Sequence, residues 1–247
     1  MKFIADFHIH SKYSRATSGL MDLVNLNKWA EIKGIRILGT GDFTHPQWFQ
    51  ELKEKLEPAE PGLFKFRSKN SPTRFILTAE VSCIYSKNKK IRKIHVILFS
   101  PSFEIVEKIN LKLQKIGNLK ADGRPILGID AKELLKIVLE ISPSVFFVPA
   151  HAWTPWFSVF GSKSGFNSLE ECFEELSNQI FSIETGLSSD PPMNWRFSNL
   201  DKITLISNSD AHSLPKLGRE ANVFNTELNY EYIIEALKKK DKNKFLY

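Results

Sequence analysis

Short apolar runs rich in β-branched residues alternate along the chain with stretches whose apolar residues recur every three or four positions. Lys2–His8 reads as the first strand. Asp22 then caps a helix carrying Leu23, Leu26, Trp29 and Ile32, and Gly34 closes it. A second strand is expected at Ile35–Thr40, then a helix from Pro46 to Leu56 with proline in its first turn. The Pro/Gly/Lys-rich segment Glu57–Ser71 reads as a loop. Strands are expected at Arg74–Cys83 and Ile94–Phe99, joined as a hairpin or a crossover around the basic run Lys87–Lys93. Helices follow at Phe103–Ile116 and, behind Asp130 as cap, at Ala131–Glu140. Ser144–Pro149 is an apolar strand, trailed by a long Trp/Phe/Gly/Ser loop to Asn167 and a short helix from its cap Ser168 to Leu176. Ile180–Glu184 and Ile203–Ser207 are two further short strands, and Tyr230–Lys239 is the closing helix. About seven short buried strands separated by helices, with no repeat or composition break, predict one α/β domain over residues 1–247. A mainly parallel sheet, closed or distorted into a barrel rather than left open, is the expected architecture.

Composition narrows the class without naming a chemistry. The chain has 247 residues, 42% hydrophobic and 25% charged, and at that size the surface scaling leaves about 11,000 Å² exposed of roughly 41,000 Å² in the extended chain. That excludes a disordered or collagen-like chain. Two isolated cysteines, Cys83 and Cys172, make neither a disulfide framework nor a thiolate metal cluster, so a reducing compartment is expected. The opening Met1–His8 is broken by Asp6 and lacks a signal-peptide core, and Val145–Ala150 is too short to span a bilayer. A cytoplasmic protein with no membrane partner is therefore expected. The net charge of +6 suits a polyanionic partner, although much of it lies in Lys87–Lys93 and Lys238–Lys244, runs that most often form solvated surface.

The positions of the six histidines change the picture. The expected strands run into Asp6-Phe7-His8-Ile9-His10, Gly41-Asp42-Phe43-Thr44-His45, Pro149-Ala150-His151 and Asn208-Ser209-Asp210-Ala211-His212, while Glu80 and His95 lie within strands and Glu184 ends one. In barrel folds the C-terminal strand ends are where sites are built. Residues i and i+2 of an extended segment point to the same side, so His8 with His10, and Asp210 with His212, can converge on one ion. Imidazoles with carboxylates and no thiolate suit zinc, manganese or iron. The nine candidates His8, His10, Asp42, His45, Glu80, His95, His151, Asp210 and His212 exceed one tetrahedral ion, so two or three ions sharing a carboxylate are expected. Glu184 is a weaker candidate, equally suited to a supporting role.

These motifs resemble those of the polymerase and histidinol phosphatase (PHP) metal-dependent phosphoesterases. Asp6-Phe7-His8-Ile9-His10-Ser11 is similar to the first motif of that family, Gly41-Asp42-Phe43-Thr44-His45 to a variant of the second, and Ser209-Asp210-Ala211-His212 to the closing one. Glu80 resembles the bridging glutamate, and His95 and His151 the third-region ligands. The resemblance implies a distorted (β/α)7 TIM-like barrel holding two or three divalent ions, with zinc foremost and manganese, iron or magnesium as alternatives. It places His8, His10 and Asp210 with the shared Glu80 on one ion as the catalytic set, and His95 with His151 on the second. His45, His212 and Asp42 are left for a third ion or for positioning the nucleophile. Within the family, Phe3–Ser14, Gly39–Pro46, Pro149–Trp156, Ser207–His212 and Lys216–Ala221 most resemble the endonuclease Q group. That likeness implies a DNA repair endonuclease cutting 5′ of uracil, hypoxanthine, xanthine or abasic sites.

The sequence departs from the family pattern in two ligand motifs. Ser11-Lys12-Tyr13-Ser14-Arg15 replaces the further His or Asp that many members carry after the first motif, and the second motif is spread to Asp-x-x-His. Endonuclease Q members also continue into a cysteine-containing region, so this chain is expected to correspond to the metal-bearing part. The loop after His151 carries Trp153, Trp156, Phe157 and Phe160, rings suited either to stacking on an extruded base or to capping the barrel mouth. Lys12, Arg15, Arg196, Lys216 and Arg219 lie near motif ends as candidate phosphate contacts. The partner expected is damaged DNA, with replication or repair proteins unspecified. The alternatives are a small-molecule phosphatase of the histidinol-phosphate type and a non-catalytic metal-stabilised DNA-binding domain.

Overall fold

A computed structural model describes residues 1–67 and 70–246; two residues of the expected 57–71 loop thus lie outside it. The elements run β1 (Lys2–Asp6), α1 (Leu23–Lys33), β2 (Ile35–Gly39), α2 (Pro46–Lys55), β3 (Leu56–Pro58), β4 (Phe64–Phe66), β5 (Arg74–Lys87) and β6 (Lys90–Ser100). They continue with α3 (Phe103–Leu113), β7 (Ile126–Leu127), α4 (Ala131–Ile141), β8 (Phe146–Pro149), α5 (Leu169–Phe173) and β9 (Ser182–Glu184). The chain then forms α6 (Pro191–Trp195), β10 (Thr204–Ile206), β11 (Asn222–Asn225) and α7 (Tyr230–Lys238). The caps act as their chemistry dictates: Asp22, Ser102, Asp130 and Ser168 each accept a first-turn backbone N–H, and Gly34 closes α1 in the left-handed region.

The sheet is mixed, which corrects the expectation of a mainly parallel one. Parallel pairs join β1 to β2, β2 to β5, β5 to β7 and β9 to β10. Antiparallel pairs join β1 to β11, β3 to β4, β4 to β5, β5 to β6, and β6 to β8. The physical reason lies at Asn88-Lys89. Both residues have positive φ, 53° and 59°, and Lys87 faces Lys90 in register. Two such residues make a hairpin turn, and a two-residue connection cannot carry a parallel crossover. The hairpin runs on well past the expected strand ends. β3 and β4 fold within the segment read as a loop, and β11 and α6 were not expected.

Both faces of the sheet are covered, so its strands read as nearly continuous apolar runs. Phe7, Ile37, Ile76, Ile97, Phe99 and Val148 share one core cluster with the apolar face of α7. The intervening residues Leu38, Leu77, Val96, Leu98 and Phe147 share the other with the outer helices. Beyond the two recorded sheets, Ile9 bridges Ala211 in parallel, and Ala152 N donates to Glu184 O at 2.8 Å. These links tie the segments after β1 and β10, and after β8 and β9, to one another. No helix is long and apolar enough to cross a membrane among the described residues.

Candidate metal centre

The chain turns sharply at the strand ends that carry the chemistry. Asp42, His151 and Asp210 all have positive φ, at 49°, 29° and 45°, a conformation that costs non-glycine residues about 1–3 kcal/mol each. Gly186 (φ 63°) lies against His151, and a Cβ at Gly186 would fall 2.5 Å from the His151 Cβ. The loop after β9 is thereby seated on this histidine.

Three overlapping groups of ligand atoms result. His8, His10 and Glu80 form one, Glu80, His95 and His151 a second, and His10, Asp210 and His212 a third, with the ligand atoms of each within 4.8 Å of one another. Glu80 is the common member of the first two. Its Oε2 lies 3.5 Å from His8 Nε2 and 3.2 Å from His10 Nε2. Its Oε1 lies 2.7 Å from His95 Nδ1 and 3.0 Å from His151 Nε2. The β5–β6 register explains the reach: Glu80 faces Ile97 and His95 faces Ser82, two positions along the same face.

Carboxylates behind the imidazoles orient them. Both Glu184 oxygens lie 3.0 Å from His8 Nδ1, so this nitrogen donates, and Nε2 becomes the acceptor once the ring is neutral, as metal binding requires. Glu184 also accepts from His151 N at 2.8 Å and from Asn208 Nδ2 at 2.8 Å. Asp42 plays the same part for His10, accepting from Nδ1 at 3.0 Å while Ser11 and Ser14 saturate its other oxygen. His8 Nε2, His10 Nε2 and Asp210 Oδ1 are buried without a hydrogen-bond partner. Three converging buried acceptors with nothing to accept from suit a divalent cation, which these residues fit by geometry and by ligand chemistry.

The electrostatics agree. Burial pushes the imidazoles of His8 and His10 toward neutrality, but Glu184, Glu80, Asp42 and Asp210 outweigh it, and both groups are raised well above the ordinary range. Burial opposes ionisation of Glu80, yet His95, His8 and Arg124 hold its carboxyl well below the usual value. Burial pulls His95 down to about 4, and lifts Asp6 to about 6 despite the backbone N–H groups of Ser209 and Gly218 at its oxygens. The cluster is thus strongly electronegative around its acceptor atoms.

Not every candidate joins the cluster. His45 is set apart from the expected third ion: it precedes α2, and its ring stacks on Tyr13 at 4.4 Å. Asp42 sits behind His10 rather than beside Asp210. Trp153 is built into the wall, packed at a tilt against Phe160 at 4.7 Å, edge-to-face with Phe197, and donating to Asn194 Oδ1. Trp156, half-exposed, lines a cavity of about 570 Å³ together with Phe157, His95, His151 and Asp210. Lys12 is paired with Glu51 at 2.8 Å. Arg219 braces the closing motif by donating to Ser209 O at 2.7 Å, whereas Arg15 reaches the cavity and Arg196 and Lys216 are exposed and not on its lining. Arg124 was missed. Its Nη1 lies 3.1 Å from Glu80 Oε2, and no local pattern links it to a residue 44 positions away.

Comparisons with known proteins fit this geometry. No family model matches the chain. The lesion-specific endonuclease PfuEndoQ from Pyrococcus furiosus is similar over 99% of this chain, with 32% identity and a TM-score of 0.86. An endonuclease Q in complex with a 27-mer duplex substrate carrying an abasic lesion at its active site is similar over 96%, with 33% identity and a TM-score of 0.84. The uncharacterized protein YqxK of Bacillus subtilis is 31% identical over 261 residues and 99% of this chain. The chain spans 58%, 57% and 64% of these longer proteins. A candidate metal-dependent phosphoesterase from Bifidobacterium adolescentis shares the fold at 11% identity, with a TM-score of 0.59 over 94% of this chain. Endonuclease Q, which the motifs resemble, is thus among the structural neighbours of the chain, and a metal-dependent phosphoesterase shares its fold.

Proposed function

We propose that this chain is the catalytic part of a DNA repair endonuclease that hydrolyses the phosphodiester 5′ of a deaminated base (uracil, hypoxanthine or xanthine) or an abasic site. In this reading residues 1–247 form one domain, a distorted (β/α)7 barrel whose ring runs β1, β2, β5, β6, β8, β9, β10. The Ile9–Ala211 bridge and the Ala152–Glu184 bond support that closure. The observation that carries the functional reading is the buried, partnerless convergence of His8 Nε2, His10 Nε2 and Asp210 Oδ1 beside the shared Glu80. It opens beside a cavity lined by arginine and tryptophan.

His8, His10, Asp210 and Glu80 would hold one divalent ion and His95 and His151, with Glu80, a second; zinc is the foremost candidate. His212 faces the His10–Asp210 side for a third. When bound, such ions supply Lewis acidity, acidifying water and drawing charge from a phosphoryl oxygen. The protein's own work is orientation. Glu184 and Asp42 fix the His8 and His10 tautomers, Arg219 holds the Ser209 carbonyl beside Asp210, and the half-exposed Trp156 has Lys93 Nζ over its ring, 4.8 Å from the centroid.

The test offers the chain, with divalent metal, duplexes with and without uracil, hypoxanthine or an abasic site. A nick 5′ of the lesion is expected. Phosphate release from small monoesters with intact duplex would instead establish the phosphatase reading, and tight duplex binding with no cleavage of either substrate the non-catalytic one.

A further inference from the structure

The cavity beside the metal centre is shaped by a segment that the sequence motifs leave unassigned. Asp122 Oδ1 accepts from two backbone N–H groups, that of Arg15 at 3.3 Å and that of Arg124 at 3.1 Å. One carboxylate thereby ties together two arginine-bearing segments more than 100 positions apart. Between them Gly123 donates to Tyr13 O at 3.0 Å and accepts from Thr44 Oγ1 at 3.1 Å. A Cβ at Gly123 would lie 2.3 Å from Asp42 Oδ2 and from Ser14 Oγ, so this seat on the buried Asp42 admits only glycine.

Both arginines line the cavity that reaches His95, His151 and Asp210. Arg15 is exposed at its rim. Arg124 is partly buried, and its Nη1 lies 3.1 Å from Glu80 Oε2. Ser82, almost wholly buried on the same wall, has a hydroxyl without a hydrogen-bond partner. The carboxylates lining this space are Asp122, the backbone tie itself, and Asp210, a metal-ligand candidate. Arg15 and Arg124 carry the permanent positive charges of this lining, Arg124 with Glu80 on one of its nitrogens. Guanidinium is permanently charged and offers paired donors in a fixed fork that matches phosphate oxygens.

We propose that Arg15 and Arg124 form a two-pronged clamp for a backbone phosphate of the DNA strand entering this cavity, and that Asp122 sets the spacing of the two prongs. The clamp rests on the nuclease reading above and adds to it the group that holds the strand. Arg124 touches Glu80 from the cavity side, so the clamped phosphate is held beside the ligand cluster, and the Ser82 hydroxyl supplies a further donor on that wall. Asp122 is a positioning residue that acts through the two arginine backbones.

The experiment measures binding of metal-loaded protein to a fluorescent abasic-site duplex by anisotropy across a salt series, with a phosphorothioate at the expected cleavage position to slow cutting. Arg15→Ala and Arg124→Ala are each expected to lower the slope of log Kobs against log[salt] by about 0.9, the contribution of one neutralised phosphate. Asp122→Ala removes a negative charge, which by itself would strengthen binding to DNA; the clamp predicts weaker binding, and no further loss when it is added to the double arginine variant. Arg124→Lys is expected to recover part of the slope but not the affinity, because the fork is lost. Metal content is measured alongside, since Arg124 touches Glu80, and the exposed Arg15 provides the variant least exposed to folding failure. Unchanged slopes with tighter binding by Asp122→Ala, in a protein that nicks the lesion duplex, would overturn the clamp alone. A wild-type chain that neither binds nor nicks the duplex would overturn the nuclease reading and the clamp with it.

Discussion

Glu184 gives the sharpest test of how this centre is held together. Its two oxygens serve three donors: His8 Nδ1 at 3.0 Å to each, Asn208 Nδ2 at 2.8 Å to Oε1, and His151 N at 2.8 Å to Oε2. Glu184→Gln keeps the volume but leaves one oxygen. If that oxygen remains at the Asn208 side, the amide N–H₂ faces the His151 N–H; if it turns to His151, the N–H₂ faces Asn208. Asn208 cannot flip to compensate, because its Oδ1 already accepts from Phe7 N and Asn222 Nδ2, both at 2.9 Å. At least one buried donor is therefore orphaned, at a cost of about 1–3 kcal/mol, or roughly 2–12 °C in Tm for a chain of this size. His8 also loses the carboxylate that fixes its Nδ1–H tautomer, and such partners are typically worth 10–100-fold in metal affinity. Calorimetric titration of chelator-stripped protein with zinc, beside a thermal melt in chelator, separates the two effects. The expected result is a lower melt and a dissociation constant raised by 10-fold or more. A lowered melt with zinc affinity within twofold of the parent would show that Glu184 supports only the fold, and would refute its role behind His8.

Three further outcomes are expected. Replacing His8 or Asp210 with alanine abolishes hydrolysis of the lesion duplex while the circular dichroism spectrum stays that of the parent; turnover retained in either variant would remove these residues from the site. Asp22→Ala deletes the carboxylate that accepts from Asn25 N at 3.0 Å, costing about 1 kcal/mol in denaturant unfolding with zinc affinity unchanged, since no residue of α1 is among the ligand groups; a shift in affinity would couple that helix to the centre. The pH dependence follows from His8 and His10, whose folded-state values are raised above 6.5. The stability they contribute is fully present below the unfolded value and is lost as pH rises through the folded ones, and His95, already neutral near its value of about 4, adds no change in that window. The metal-free protein should therefore lose Tm from pH 6.5 upward, whereas zinc, which needs deprotonated imidazoles, should stabilise it more as pH rises; parallel curves with and without zinc would contradict this.

What could be read from the sequence divides along physical lines. Local rules reached α1, α4 and α5, because Asp22, Asp130 and Ser168 bond their own first turns and Gly34 needs only its own φ. The two-residue repeat brought His8 and His10 to one cluster, since each strand end there stays extended. The second motif, with Asp42 and His45 three apart, lies outside that rule. Asp42 turns into positive φ, so it falls behind His10, and the next residues swing His45 to the start of α2. The hairpin between β5 and β6 was undecided because Asn88-Lys89 lacks the glycine that usually marks such a turn, although both residues adopt its geometry. β3, β4 and β11 are too short to carry a period.

The remaining features depend on partners that no window contains. Trp153 and Trp156 stand three apart in one aromatic loop and are indistinguishable by composition. What separates them is Phe197 and Asn194, which hold Trp153 in the wall, and Lys93, which lies over one face of Trp156 and leaves the ring half-exposed at the cavity. Arg124 escaped notice for the same reason, since its meaning comes from Glu80, and its position from an Asp122 that also grips Arg15. Residues that bind an ion must converge, and convergence leaves a mark in the identity and spacing of ligands at strand ends. Residues that bind a flexible polyanion need only border the same space, and that leaves no mark until the fold is closed. The candidate metal cluster could accordingly be read almost whole, whereas the surface proposed to hold a substrate could be read only as a list of aromatic and basic residues, of which the structure brings Trp156 and Arg15 to the cavity.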